Sequence, residues 1–185
     1  MRTGKSHLIE VVEPKDIKIQ DVSVVSRKVF HDERGFLIET FAKSKEETTS
    51  VYSYCSLTRP GFARDIDRFH YHLQQEDRFT VVLGRMWVVL FDARKDSPTF
   101  ENLQVVELVG GNVDLKDRVS LPCATITIPR IVYHGIMNPG PSVAMIVNHP
   151  TQEYTVEDEG RIVFSQVKIN SLGEGYFSWD KVKER

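Results

Sequence analysis

The sequence is short of the features that mark several protein classes. It has only 2 cysteines in 185 residues. Cys55 and Cys123 stand far apart and fit no Cys-x-x-Cys metal or redox pattern. Two reduced thiols in a cytoplasmic protein are expected. No run approaches the roughly 20 apolar residues of a membrane helix. Residues 1–10 alternate charge with apolar side chains, where a signal peptide needs a continuous apolar stretch. Neither sign of charge dominates: 24 Lys and Arg against 26 Asp and Glu leave a net charge of −2. That balance argues against a nucleic-acid binder. Repeats, low-complexity tracts and Pro/Gly/Ser linkers are also missing, so nothing suggests a solenoid or a string of modules. The length suits one domain, soluble and able to bury a core without metal or disulfide staples.

What the chain does have is many short β-type runs separated by turn residues. They cover 22–30, 35–41, 51–57, 79–83, 86–91, 103–109, 124–128, 143–147 and 162–167. Gly84-Arg85 reads as a hairpin turn between two of them. Helix signals are confined to one turn over 44–48 and a short C-terminal helix over 178–185. This spacing predicts an all-β sandwich or barrel, and a jelly roll is the natural closed form. Residues 1–22, with Pro14, read as an N-terminal arm, and residues 23–185 as the barrel domain. Trp87 and most Phe side chains read as core.

Three segments carry polar residues in patterns that suggest chemistry. In the segment from Phe30 to Phe41, Arg34 sits in a turn and Glu39 on the strand after it. A guanidinium there suits a phosphate, and the carboxylate a hydroxyl or amide. In Arg68-Phe69-His70-Tyr71-His72, the two histidines are two apart, so a strand points both to one face. Paired imidazoles on one face need solvent or partners, which suits a site. In the segment from Pro129 to Asn138, a strand-end proline followed by His134 and Gly135 places the imidazole near a barrel mouth, where ligands bind.

Together these segments resemble the dTDP-4-dehydrorhamnose 3,5-epimerase family. Its Phe-x-Asp-x-Arg-Gly-x-Phe-x-Glu-x-Phe pattern is similar to Phe30 through Phe41, with Phe36 and Glu39 spaced three apart. Its Asp-x-Arg-x-x-Ser-Pro-Thr-Phe block is present as Asp92, Arg94, Ser97, Pro98, Thr99 and Phe100. Ile128-Pro129 with His134-Gly135, and Tyr154 with Glu157 and Glu159, resemble two further family stretches.

The resemblance implies a cupin-type jelly roll that forms a homodimer and needs no metal or organic cofactor. It implies epimerisation of a dTDP- or GDP-linked 4-keto-6-deoxy sugar at C3, C5 or both. Such enzymes serve deoxysugar and polysaccharide biosynthesis, including lipopolysaccharide O-antigen. On the residues, it makes His70 the base and puts Arg78 where the family has an enolate-stabilising Lys. Asn148 stands for the family's acid Tyr, with Tyr154 or His149 as substitute acids. Ser165 or Gln166 stands for the Asp that orients the base. Arg34, Glu39 and one of Arg59, Arg64 or Arg68 would hold the nucleotide, while His72, His134 and Asn148 line the pocket.

Three other readings stay open. His70, His72, Glu76 and His134 have the three-His, one-carboxylate spacing of metal cupins, which suits Fe, Mn, Ni or Zn. A ketoisomerase of 4-keto nucleotide sugars would use His70 and His72 as a proton shuttle. A sugar-nucleotide-binding protein without catalysis is the third.

Overall fold

A computed structural model describes residues 8–45, 49–111, 123–173 and 175–183. In chain order the strands are β1 (Ile9–Val12), β2 (Ser23–Ser26), β3 (Val29–Asp32), β4 (Gly35–Ile38), β5 (Tyr54–Thr58), β6 (Arg68–His72) and β7 (Asp77–Leu83). They continue as β8 (Arg85–Asp92), β9 (Leu103–Val109), β10 (Ala124–Ile128), β11 (Val132–Met137), β12 (Ala144–Asn148), β13 (Glu159–Val163) and β14 (Val182–Lys183). Among the described residues the only helical pieces are three-residue 3-10 turns.

The strands make a seven-stranded sheet in the order β13-β6-β11-β8-β9-β1-β14 and a five-stranded sheet in the order β2-β10-β7-β12-β5. Strands β3 and β4 form a separate hairpin. The two larger sheets stack face to face as a cupin-type jelly roll. Alternation along the strands decides what fills the gap. Phe79, Val81, Ile126, Ile128 and Ile146 from the smaller sheet meet Met86, Val88, Leu90, Val106 and Leu108 from the larger one.

The larger sheet is covered on its outer face as well. Phe69, Trp87, Val89 and Phe91 point outward there, under Phe164, Val167, Phe177 and Trp179 from the C-terminal segment. Phe69 is fully buried, with the Phe164 ring edge-on at 4.6 Å. Burial on two faces explains why 86–91 is a continuous apolar run rather than an alternating one.

Several local expectations change. The C-terminal helix is a single 3-10 turn, Trp179–Lys181, followed by β14 parallel to β1 with Ile9 opposite Val182. Apolar coverage and a free sheet edge win over weak helix propensity. The turn over 44–48 is a 3-10 turn at Lys43–Lys45, and 46–48 lie outside the described residues. The stretch read as an arm supplies β1, an inner strand, and buries Ile9, Val11 and Ile19. Its alternating Ile9 and Val11 fit one face of the larger sheet.

Gly84 closes no hairpin, because β7 and β8 belong to different sheets. It is a corner at φ +71°, where a Cβ would fall 2.6 Å from the Val143 carbonyl oxygen. The Asp-x-Arg-x-x-Ser-Pro-Thr block is structural. Asp92 accepts from Arg94 Nε (2.8 Å), Ser97 Oγ (2.6 Å) and Thr99 Oγ1 (2.6 Å), fixing the turn between β8 and β9. Burial would raise the Asp92 pKa, but these donors, Arg94 foremost, hold it down at about 2.

Candidate active site

The site begins with two neighbouring strands. His70 on β6 lies opposite His134 on β11, and alternation turns His70 and His72 to the inner face. The rings cluster, with centroids 4.6 Å apart for His70 and His72 and 5.1 Å for His70 and His134. Across the gap, β7 sends Asp77 and Phe79 toward them. The Phe79 ring meets His134 edge-on at 5.7 Å.

Asp77, only 1% exposed, is the hub. Its Oδ2 lies 3.1 Å from His134 Nε2 and 3.5 Å from His72 Nε2, at ion-pair range although the His134 contact is not aligned as a hydrogen bond. Its Oδ1 accepts from Asn148 Nδ2 (2.7 Å) and Gln75 Nε2 (2.9 Å). Burial would push this carboxyl up, but the His134 and His72 imidazoles outweigh it and hold the group well below the usual carboxylate range.

His72 is fixed from behind. Asp158 accepts from His72 Nδ1 at 3.1 Å and from the backbone N–H groups of Leu73, Gln74 and Gln75. Burial works against a charged ring here, yet Asp77 and Asp158 raise its pKa overall. Gln75 Nε2 at 3.0 Å from His72 Nε2 would favour the neutral ring in this amide orientation. Two carboxylates outweigh one amide dipole, so the raised direction stands.

His70 is the opposite case. Its Nε2 is buried and meets no hydrogen-bonding partner among the described protein groups. Burial first, then the neighbouring His134 and His72, push its pKa down to about 3. The ring is neutral at pH 7 and offers a lone pair.

His70 and His134 line a cavity of about 480 Å³ between the sheets, floored by Phe79 and Ile146. Arg59, Arg64 and Arg161 contribute cations to its wall, and Tyr54 a phenol. Size, apolar floor and convergent cations suit a phosphorylated small molecule.

The structure brings some expected residues together and separates others. His70, His134, Arg59 and Arg64 line the cavity. Asn148 is fully buried beside it. His72 sits behind, with both ring nitrogens engaged inside the protein. Arg78 is a correction: it follows Asp77 on β7, so its side chain leaves on the opposite face of the sheet. Its guanidinium lies 5.9 Å from the Phe41 ring. His149 shares that far side, 5.2 Å from the same ring and 3.0 Å from Thr40 Oγ1. Tyr154 is 61% exposed and outside the cavity wall. Ser165 and Gln166 are exposed in the 3-10 turn after β13 and cannot orient His70.

Arg34 stands on the exposed β3–β4 hairpin, paired with Asp32, and Glu39 is exposed just beyond it. Arg68 pairs with Asp67 at 2.7 Å and is absent from the cavity wall. Asp77, rather than Glu76, is the carboxylate that His72 and His134 share. Among the described residues no group of three or more His, Cys, Asp or Glu side chains is arranged to hold a metal ion.

Sequence reasoning missed Tyr54, Asp77, Asp158 and Arg161. Strand parity was the available signal for Asp77, since it shares a face with Phe79 and Arg78 does not. Asp158 and Arg161 had no local signal, because pairing of β13 with β6 brings them in.

A sequence model described as dTDP-4-dehydrorhamnose 3,5-epimerase matches residues 16–172. The chain belongs to that family. It is therefore a member of an isomerase family that acts on nucleotide-linked sugars. A probable low-salt glycan biosynthesis epimerase of Haloferax volcanii is 34% identical over 143 residues, covering 76% of this chain and 83% of the relative. The spore coat polysaccharide biosynthesis protein SpsL of Bacillus subtilis is 28% identical, covering 88% of this chain and 97% of the relative. Among solved structures, a dTDP sugar isomerase of Desulfovibrio desulfuricans superposes with a TM-score of 0.71 at 20% identity, over 88% of this chain and 92% of that one. The Legionella pneumophila 3,5-epimerase in complex with dTDP-4-keto-L-rhamnose gives 0.65 at 22% identity, over 96% of this chain and 87% of that one. At these identities the two structures support the epimerase-family fold.

Proposed function

We propose that this family member epimerises a nucleotide-linked 4-keto-6-deoxy sugar, dTDP-linked in the first instance, at C3, C5 or both. The observation that carries the reading is His70, which lines the cavity and whose buried Nε2 meets no hydrogen-bonding partner among the described residues. A ketone at C4 acidifies the neighbouring C–H bonds. The neutral His70 ring takes one of these protons and an enolate forms. Arg59, Arg64 and Arg161 favour both the diphosphate and the developing negative charge.

Homodimerisation belongs to the same proposal. Phe30 and Leu37 face each other on the hairpin and are 50% and 61% exposed, an apolar pair in need of cover. Arg34 and Glu39 lie off this chain's own cavity wall, so they enter the reading through a second copy. A cytoplasmic location fits two free cysteines, one of them exposed. No helix is long and apolar enough to cross a membrane among the described residues.

The test is proton NMR in D2O with a dTDP-linked and a GDP-linked 4-keto-6-deoxyhexose, with and without chelator. Deuterium should enter at C3, C5 or both, and His70→Ala should slow this by roughly 100-fold or more. Exchange abolished by chelator would favour the metal cupin. A keto group that moves to C3 would favour the ketoisomerase. No exchange with either sugar would overturn the epimerase reading and leave a binding protein.

A further inference from the structure

Inversion at a carbon needs a base on one face and an acid on the other. His70 stands on β6 in the larger sheet. The expected acids, Tyr154 and His149, lie off the cavity. The smaller sheet, which forms the opposite wall, carries one acidic hydroxyl of suitable strength into the same cavity: Tyr54 on β5.

Tyr54 lies directly opposite Asn148 in the β5–β12 register. Asn148 Nδ2 donates to the Tyr54 hydroxyl oxygen at 2.9 Å. The orientation of that amide is not a free choice. Its Oδ1 accepts from the Arg78 backbone N–H at 2.8 Å, and a backbone N–H can only donate. Its Nδ2 also donates to Asp77 Oδ1 at 2.7 Å, and an ionised carboxylate can only accept. A flipped amide would break both contacts. The phenol oxygen therefore accepts from Asn148, and its own hydrogen must point elsewhere.

We infer that Tyr54 is the catalytic acid, delivering its O–H proton to the enolate face opposite His70 while Asn148 positions the phenol. The inference rests on the epimerase reading above. The proton balance closes without a co-reactant. His70 takes the α-proton and becomes imidazolium, the C–H pair becomes the enolate, and Tyr54 breaks its O–H bond to form the new C–H bond. The phenolate keeps the Asn148 N–H bond, then regains a proton from water, and His70 gives its proton to water. Tyr54 keeps 42% of its surface exposed, and its partial burial, with Asp77 behind Asn148, pushes the phenol up to about 12, so it is protonated when the enolate forms.

The experiment separates exchange from inversion. Wild type, His70→Ala and Tyr54→Phe are each given the keto sugar in D2O, and both deuterium content and product stereochemistry are read. Tyr54→Phe should keep His70-dependent exchange, because the base can return a deuteron to the face it came from. It should lose net inversion by roughly 100-fold or more. Full inversion by a folded Tyr54→Phe protein overturns the acid assignment and leaves the epimerase reading standing. A wild type that neither exchanges nor inverts overturns that reading instead. A difluorotyrosine placed at position 54 keeps shape and hydroxyl while acidifying the phenol. The alkaline limb of its inversion rate should move to lower pH. A limb that stays where wild type has it also overturns the assignment.

Discussion

Replacing Asp77 by Asn tests the centre of the site without changing its volume. The carboxylate sits among four nitrogens: Asn148 Nδ2 at 2.7 Å, Gln75 Nε2 at 2.9 Å, His134 Nε2 at 3.1 Å and His72 Nε2 at 3.5 Å. An Asn oxygen turned toward the two amides keeps those bonds. Its NH2 then faces the two imidazoles, where an acceptor of charge has been lost. Removing one member of a buried charge cluster costs about 3–5 kcal/mol. With a urea slope of about 2 kcal/mol per molar, the unfolding midpoint should fall by roughly 2 M.

The loss has a pH signature. His72 has a raised pKa, so the stability it draws from Asp77 is full below about pH 6.5 and fades as pH rises through the folded value. Asp77 has a depressed pKa, so its own share is present above about pH 4 and fades as pH falls through the folded value. The gap between wild type and Asp77→Asn should therefore be widest from about pH 4 to pH 6.5 and narrow at alkaline pH. NMR of the His72 ring in the variant should show its pKa falling. A stability loss under about 1 kcal/mol, or a His72 ring that titrates unchanged, would refute the hub.

Two further outcomes follow from the same geometry. Gly84→Ala puts a Cβ 2.6 Å from the Val143 carbonyl oxygen at a positive φ. It should cost roughly 1–3 kcal/mol, read as a lower midpoint in thermal unfolding. His70 has a depressed pKa of about 3, so its stabilising share is present above about pH 6.5 and is lost as pH falls toward 3. Urea midpoints of wild type should drop more steeply across that window than those of His70→Asn.

The sequence made the barrel legible because alternation is a local property: Val81, Met86, Val88, Ile126 and Ile146 sit where their parity puts them. Arg78 came in through the family's Lys position, whereas strand parity favours its neighbour Asp77, which shares a face with Phe79. The paired histidines of β6 were readable as a site from their spacing alone. Their partners were not. Asp158 reaches His72, and Tyr54 reaches Asn148, across 86 and 94 residues of chain. Such pairings follow from strand order, which local pattern does not encode. The Ser-Pro-Thr block was the most specific family mark, yet it secures a turn through Asp92 rather than lining the cavity.

The two ends of the described chain meet at one edge of the larger sheet, β1 beside β14, and the C-terminal rings roof Phe69 and Phe91. Such long-range closure delays the reward for ordering the chain. During synthesis β6, β8, β9 and β11 emerge with their outward apolar side chains bare, before the segment from Phe164 to Trp179 exists to cover them. The nascent barrel therefore passes through a stage with a sticky back, and its solubility in the cell depends on how soon that last stretch follows.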